Sequence, residues 1–178
     1  LKINKFNMSS CNYGNPKLRR LLHMPQRPAG SNLFLKNDKF PKNLLRTEIF
    51  IDHWIKNNNP GRGDGWHSYT LSLRIRNWIL WFRFFPELAT EKRLNSLWIQ
   101  TCWLYSHPEK CHGGNHWLEN IISLIISSLQ FDSIKSEKIY KKSIINLKEE
   151  LDYQILKDGG HQERSASYHI LLLDRLTE

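Results

Sequence analysis

The stretch Gly113-Gly114-Asn115-His116-Trp117-Leu118-Glu119-Asn120 precedes an almost wholly apolar run from Ile121 to Leu129. Asparagine is a favoured N-cap residue, so Asn115 predicts a helix that begins at His116. The unpaired backbone N–H groups at such a helix end, together with the helix macrodipole, favour negative charge there. The start of this helix is therefore a candidate site for an anion.

This predicted helix has two stripes of different polarity. The polar stripe, at i, i+4, i+7 and i+11, consists of His116, Asn120, Ser123 and Ser127. The apolar stripe has similar spacing and consists of Leu118, Ile122, Ile125 and Leu129. Such a helix can form an inner wall that lines a cavity. It can equally be a buried helix whose Asn and His satisfy neighbouring polar groups.

The amino-acid composition indicates the size of the core and the kinds of partner that the protein can bind. The 178 residues include 7 Trp and 8 Phe, which suffice for one domain with a sizeable core. The net charge of +9 predicts an acidic partner such as an anionic polysaccharide, a nucleic acid or a lipid surface. Nucleic acid is the weakest of these, because the basic residues are scattered and match no binding motif. The three cysteines are an odd number without metal-type spacing, so they imply neither a disulfide framework nor a zinc site. We predict no metal and no cofactor. No apolar run reaches the roughly 18 residues of a membrane helix.

Apolar periodicity predicts an all-α array of six helices. With the helix after Asn115 as the fourth, the other five have approximate bounds of 44–57, 66–85, 90–107, 136–158 and 165–178. Residues 1–43 are predicted to be irregular, because prolines and a glycine interrupt them and no apolar period is sustained.

The second helix combines an apolar stripe with a mixed face. The stripe consists of Leu71, Ile75, Trp78, Phe82 and Phe85. The mixed face, consisting of Thr70, Arg74, Asn77 and Trp81, suits a sugar site, where rings stack on aromatic groups and carboxylates meet arginine. An arginine that bonds loop carbonyls for structural reasons is an equally consistent interpretation of Arg74.

A second functional candidate is the segment 158–169, which places two histidines, a glutamate, an arginine and Tyr168 around the start of a helix. Phenols ordinarily ionise near pH 10, so a tyrosine serves as a base only if cations or dipoles stabilise the phenolate. Arg164 and the helix N-terminus could do so. The alternative is a buried tyrosine whose hydroxyl is hydrogen-bonded for structural reasons.

Three segments together resemble the N-terminal domain of the heparinase II/III family of polysaccharide lyases. They are Gly65 to Trp78 (GWHSYTLSLRIRNW), Gly114-Asn115-His116 with its apolar helix, and Gln154 to His169 (QILKDGGHQERSASYH). The resemblance covers residues 44–178 and implies an incomplete α/α toroid built from helix hairpins. The stretch Cys11 to Leu18 is also similar to the family.

The resemblance further implies β-elimination on a uronic-acid-containing polysaccharide, heparan-sulfate-like or alginate-like. Asn115 matches the family residue that neutralises the uronate carboxylate, and His116 would assist. Tyr168 matches the catalytic tyrosine, while the family's catalytic histidine comes from further along the chain. We also predict substrate-binding roles for Trp66, Arg74, His116, Glu163, Arg164 and His169. Family proteins of this kind are expected to be periplasmic or secreted.

The ends of the sequence predict that the chain is part of a longer protein, because Leu1 is not an initiator and the last helix has no stop signal. Two alternative functions remain at this point. One is a non-catalytic glycan-binding or degenerate form of the same fold. The other is a glycoside hydrolase, which needs two suitably placed carboxylates. Glu119 and Glu163 are the acids near the motifs.

Overall fold

The computed structural model describes residues 17–18, 40–110 and 114–177. This part of the chain contains six α-helices joined by short connections, as the apolar periodicity predicts. They are α1 (Phe40–Asn57), α2 (Ser68–Phe84), α3 (Glu91–Ser106), α4 (Gly114–Ser128), α5 (Ile134–Gln154) and α6 (Ala166–Thr177). None of them is long and apolar enough to cross a membrane.

The first helix begins inside the segment that we predicted to be irregular. It starts at Phe40, so the prediction is wrong for residues 40–43. Pro41 is tolerated there because the first turn of a helix needs no N–H donor from it. Earlier in the chain, β1 (Lys17–Leu18) pairs antiparallel with β2 (Phe131–Asp132). The rest of the predicted irregular segment, with most of the stretch Cys11 to Leu18, lies outside the described residues.

Local hydrogen bonds place both ends of α5 differently from the prediction. Ser133 and Ser136 exchange reciprocal side-chain-to-backbone hydrogen bonds of 3.0 Å, so α5 starts at Ile134 rather than near Ser136. At the other end α5 stops at Gln154, and Ile155 then forms a β-bridge with His161. The glycines after Asp158 therefore belong to a turn and do not terminate the helix.

The main core lies between α1, α2, α3, α4 and α5. All five residues of the predicted apolar stripe on α2 are buried in it: Leu71, Ile75, Trp78, Phe82 and Phe85. A smaller cluster, formed by Leu118, Ile122 and Leu172, joins α4 to α6. Leu172 is the buried side chain of α6, so the apolar part of the attachment of this helix rests mainly on one residue.

The polar stripe of α4 is a helix–helix contact for most of its length. The Asn120 amide donates to the Ser72 hydroxyl at 3.0 Å, and the Ser123 hydroxyl donates to the Ser72 carbonyl at 2.9 Å. The interpretation of this stripe as a cavity wall is therefore wrong for Asn120 and Ser123. These side chains satisfy the polar groups of α2 in a buried interface, whereas His116, at the start of the stripe, lines a cavity.

The starts of α2, α4 and α6 lie at one end of the array. The Ser68 hydroxyl, in the first turn of α2, donates to the carbonyl of His107, directly after α3. A Cβ added to Gly114 would lie 3.8 Å from the Glu163 carboxylate, which precedes α6. Three helix N-termini are thus assembled from distant parts of the sequence.

We expect the isolated chain of 178 residues to associate through α6. Ile170, Leu173 and Leu176 are 65%, 51% and 40% exposed, and contiguous apolar surface of this kind favours association. Light scattering coupled to size exclusion should show oligomers or aggregate, and Ile170→Lys with Leu173→Lys should shift the population towards monomer. A monodisperse, cooperatively melting wild-type monomer would contradict this expectation.

Candidate active site

A cavity of about 650 Å³ lies at the end where α2, α4 and α6 begin. The residues that line it come from these three helices and the segments before them: His67, Tyr69, Glu109, Gly114, Asn115, His116, Glu163, Tyr168 and Leu171. Asn115 and Tyr168, which are 53 positions apart in the sequence, therefore share one cavity.

Asn115 is inside the first turn of α4 and is not its N-cap. The helix starts at Gly114, whose φ of +59° is in the left-handed region that glycine adopts without a Cβ penalty. The capping prediction is wrong for this reason. The half-buried Asn115 side chain makes no hydrogen bond with the described residues, so its amide is available to a ligand in the cavity.

Tyr168 is in the first turn of α6 and is 40% exposed. Its hydroxyl makes no hydrogen bond with any residue that the structure describes, and its ring faces His161 at a centroid distance of 6.1 Å. The alternative of a buried, hydrogen-bonded structural tyrosine is therefore wrong. The phenol is accessible from the cavity.

His116 is held by one contact on the face of its ring and another at the ring edge. Its ring stacks on Tyr69 at 4.1 Å between centroids, and its Nδ1 lies 3.1 Å from Glu109 Oε1. Glu109 is fixed in turn because its backbone N–H donates to the Asn120 side-chain oxygen at 2.8 Å. With Nδ1 facing a carboxylate, the imidazole presents Nε2 as its other polar atom.

The loop before α6 is anchored by a buried histidine. His161 Nδ1 accepts a hydrogen bond from the Glu163 backbone N–H, and its Nε2 lies 3.2 Å from the Gln154 side-chain oxygen. Gln154 donates to Glu150 at 2.7 Å. Because Nδ1 accepts, Nε2 carries the proton and donates to Gln154. His161 thus fixes the loop that places Glu163 in the cavity.

Two of the predicted substrate-binding residues lie elsewhere. The Arg74 guanidinium lies 3.7 Å from the ring centre of Trp54 and donates from Nε to Gln100 at 2.8 Å. Burial lowers the pKa of Arg74 to about 10. Trp66 is buried in the same aromatic cluster. These contacts give Arg74 a structural role, although its partners are a side-chain amide and aromatic rings rather than the loop carbonyls that we expected. Neither residue lines the cavity that holds Asn115 and Tyr168.

Of the other four predicted substrate-binding residues, two line the cavity and two do not. His116 and Glu163 line the cavity, whereas Arg164 and His169 are not among the residues that line it. Arg164 is exposed and has a φ of +51°, so it marks the sharp turn into α6. Arg164, the cation that we expected beside Tyr168, is therefore not among the residues that share the cavity with the phenol. The helix N-terminus that we also expected is present, because Tyr168 is in the first turn of α6.

Sequence reasoning missed His67, Tyr69, Glu109 and Leu171. His67 and Tyr69 flank Ser68, where α2 begins, and such helix starts are where sites for anions tend to form. Glu109 belongs to a connection that no local pattern singles out. Within residues 40–110 and 114–177, no three histidine, cysteine or acidic side chains are grouped as metal ligands would be.

Comparisons with known proteins connect this geometry to a family. The model described as "Heparinase II/III N-terminus" matches residues 35–178, which is most of the chain. The comparison with curated proteins gave no match. The structure is similar to the crystal structure of heparinase III, with a TM-score of 0.62 and 24% identity.

That similarity covers 79% of this chain and 23% of the heparinase III chain. It confirms the predicted fold, an all-α array of the α/α toroid type. The start of the matched region at residue 35 also includes the first turn of α1, which our prediction omitted. The family model, the toroid fold and the six helices agree, and the chain belongs to the heparinase II/III family.

Proposed function

We propose that the protein is a polysaccharide lyase that cleaves a uronic-acid-containing anionic polysaccharide, heparan-sulfate-like or alginate-like, by β-elimination. The observation that supports this most directly is the shared cavity of Asn115 and Tyr168, because the two side chains provide complementary parts of the reaction. Membership of the heparinase II/III family supports a polysaccharide as the substrate. In this proposal the complete protein acts in the periplasm or outside the cell.

The start of α4 would bind the uronate carboxylate. Gly114, Asn115 and His116 line the cavity from the first turn of this helix, where unpaired backbone N–H groups and the macrodipole favour an anion. The Asn115 amide adds a side-chain donor. Loss of the C5 proton moves negative charge onto the adjacent carboxylate, so donors placed there stabilise the transition state more than the ground state.

Tyr168 would move the proton. As phenolate it takes the proton from C5, the electron pair left behind forms the C4–C5 double bond, and the glycosidic oxygen at C4 leaves. Departure of that oxygen requires a proton, which the Tyr168 hydroxyl can return. The exposed phenol has no competing hydrogen bond with the described residues, so it can approach either atom.

His116 would bind substrate with its remaining ring nitrogen. Its stacking on Tyr69 and its contact with Glu109 restrict the ring to one orientation. A restricted donor loses less entropy when it binds a sugar hydroxyl or carboxylate. The family's catalytic histidine from further along the chain is a separate group, and the match to this chain spans 23% of the heparinase III chain.

One feature favours a second candidate, a glycoside hydrolase. Glu109 and Glu163 line the same cavity, so it contains two carboxylates, as glycoside hydrolysis requires. Glu109 is already engaged with His116, however, and a carboxylate that orients a histidine is poorly placed to act on water. A non-catalytic glycan-binding role would use the same cavity without either chemistry.

Product analysis of the complete protein on a panel of acidic polysaccharides distinguishes these functions. Elimination creates an unsaturated uronate that absorbs in the ultraviolet, with one new reducing end for each double bond. We expect both signals to rise together on at least one polymer that contains uronic acid. Reducing ends without ultraviolet absorbance would establish hydrolysis instead. Binding to the polymer without either signal would establish the binding role.

A further inference from the structure

A buried ion triad joins the three helices whose first turns form the cavity. Glu119 on α4 is 3% exposed and accepts hydrogen bonds from Arg76 on α2 and Arg175 on α6. Arg76 Nη1 lies 3.3 Å from Glu119 Oε2, and Arg175 Nε donates to Oε1. Each oxygen of the Glu119 carboxylate therefore binds mainly the arginine of a different helix.

The triad lies about one turn after Asn115 on α4 and about two turns after Tyr168 on α6. Glu119 is four residues after Asn115, or about 6 Å along α4, and Arg175 is seven residues after Tyr168, or about 10.5 Å along α6. The ion pair between them thus links the helix that bears the amide to the helix that bears the phenol. Apart from the triad, α6 has one buried side chain, Leu172, to fix its position.

Arg76 extends the link to the third helix of the cavity. It is seven residues after Tyr69, the ring on which His116 stacks, so the same carboxylate also binds α2 about two turns after its start. Buried ion pairs often contribute little net stability, because desolvation offsets the attraction. Their geometry is nonetheless strict: a slip of α6 by one turn would move Arg175 by about 5.4 Å and leave Glu119 unpaired on that side.

We propose that Glu119 and Arg175, together with Arg76, are positioning residues that fix the separation of the Asn115 amide from the Tyr168 hydroxyl. The consequence for turnover rests on the proposed lyase function. The underlying claim is independent of it: the triad holds α6 on α4 and α2.

Hydrogen exchange followed by mass spectrometry tests the claim without substrate. In the complete protein, Glu119→Gln should raise the exchange rate of the amides in residues 166–177 by about 10²–10⁴-fold, the size expected when one partner of a buried ion pair is removed. The matched control is Glu137→Gln, which removes the same charge from an exposed pair with Lys141 on α5 and should change nothing. Residues 94–104 of α3, which include no member of the triad, report whether the fold is intact.

A second variant covers the case in which Glu119→Gln does not fold. Arg175→Met keeps the length of the side chain and removes its charge, and Arg175 is the more exposed partner. With the lyase assay, Arg175→Met should lower kcat by about 10²-fold for a displacement of about 1 Å, with KM unchanged. Arg175→Lys should restore part of kcat. In a Tyr168→Phe background, Arg175→Met should have little further effect.

The results separate the two proposals. Equal exchange of residues 166–177 in wild type, Glu119→Gln and Arg175→Met overturns the positioning role, whatever the activity. An Arg175→Met effect on kcat that persists undiminished in the Tyr168→Phe background also overturns it. If wild type gives no unsaturated product, the lyase function fails, and the exchange experiment still decides whether the triad holds α6.

Discussion

Replacing Tyr168 with phenylalanine should lower the turnover of the complete protein by about 10²–10⁴-fold, the usual contribution of a positioned acid or base. The change removes one hydroxyl that is accessible from the cavity and has no hydrogen bond with the described residues. Folding stability should therefore be unaffected. Because the proposed role of the hydroxyl is in the transition state rather than in binding, kcat should fall while KM changes little.

The matched control is Tyr153→Phe, which removes the same hydroxyl from an exposed position on α5, outside the cavity. Its rate of ultraviolet absorbance increase should equal that of wild type. If Tyr168→Phe also produces the unsaturated sugar at the wild-type rate, Tyr168 is not the proton carrier.

Replacing Asn115 with alanine should lower turnover by about 10²–10³-fold, the range measured when one donor of an oxyanion-type site is removed. Alanine is the best helix former, so the first turn of α4 should persist. The loss should be greatest on polymers whose uronate carboxylate is free, because that group is the proposed partner of the amide. Initial rates on a polyuronate and on its methyl ester measure this difference.

Asn77→Ala provides the control for this substitution, since Asn77 is exposed on α2 and does not line the cavity. Its rates should match those of wild type on both polymers. An Asn115→Ala variant that loses the same factor on the free acid and on the ester would show that Asn115 does not bind the carboxylate.

The fold was predictable because helix periodicity is a local signal. The stripe on α2 that includes Leu71, Ile75 and Trp78 is buried in the core as expected. Helix boundaries were less predictable where a few side chains decide them. Gly114 starts α4 earlier than an asparagine cap would, and the reciprocal bonds of Ser133 move the start of α5.

Only part of the site was predictable, because some of its side chains are placed by contacts between distant residues. Asn115 and Tyr168 were found through residue chemistry and family resemblance, and the structure places both in one cavity. Their assigned roles stay predictions. Glu109 was missed, because its position depends on a hydrogen bond with Asn120 and not on any local pattern. Arg74 was predicted from its type, yet buried rings and Gln100 already surround it.

The positions of the tryptophans, including the two packed around Arg74, determine which part of the fold intrinsic fluorescence can report. The seven tryptophans lie between residues 54 and 117, on α1 to α4 and the turn after α1, and none lies on α5 or α6. An unfolding curve followed by tryptophan emission therefore measures the first two hairpins. When α6, with Tyr168 on it, separates, it should also unfold, because an isolated helix of 12 residues is marginal in water. Such a variant would keep a native emission spectrum while its helical circular dichroism signal declines.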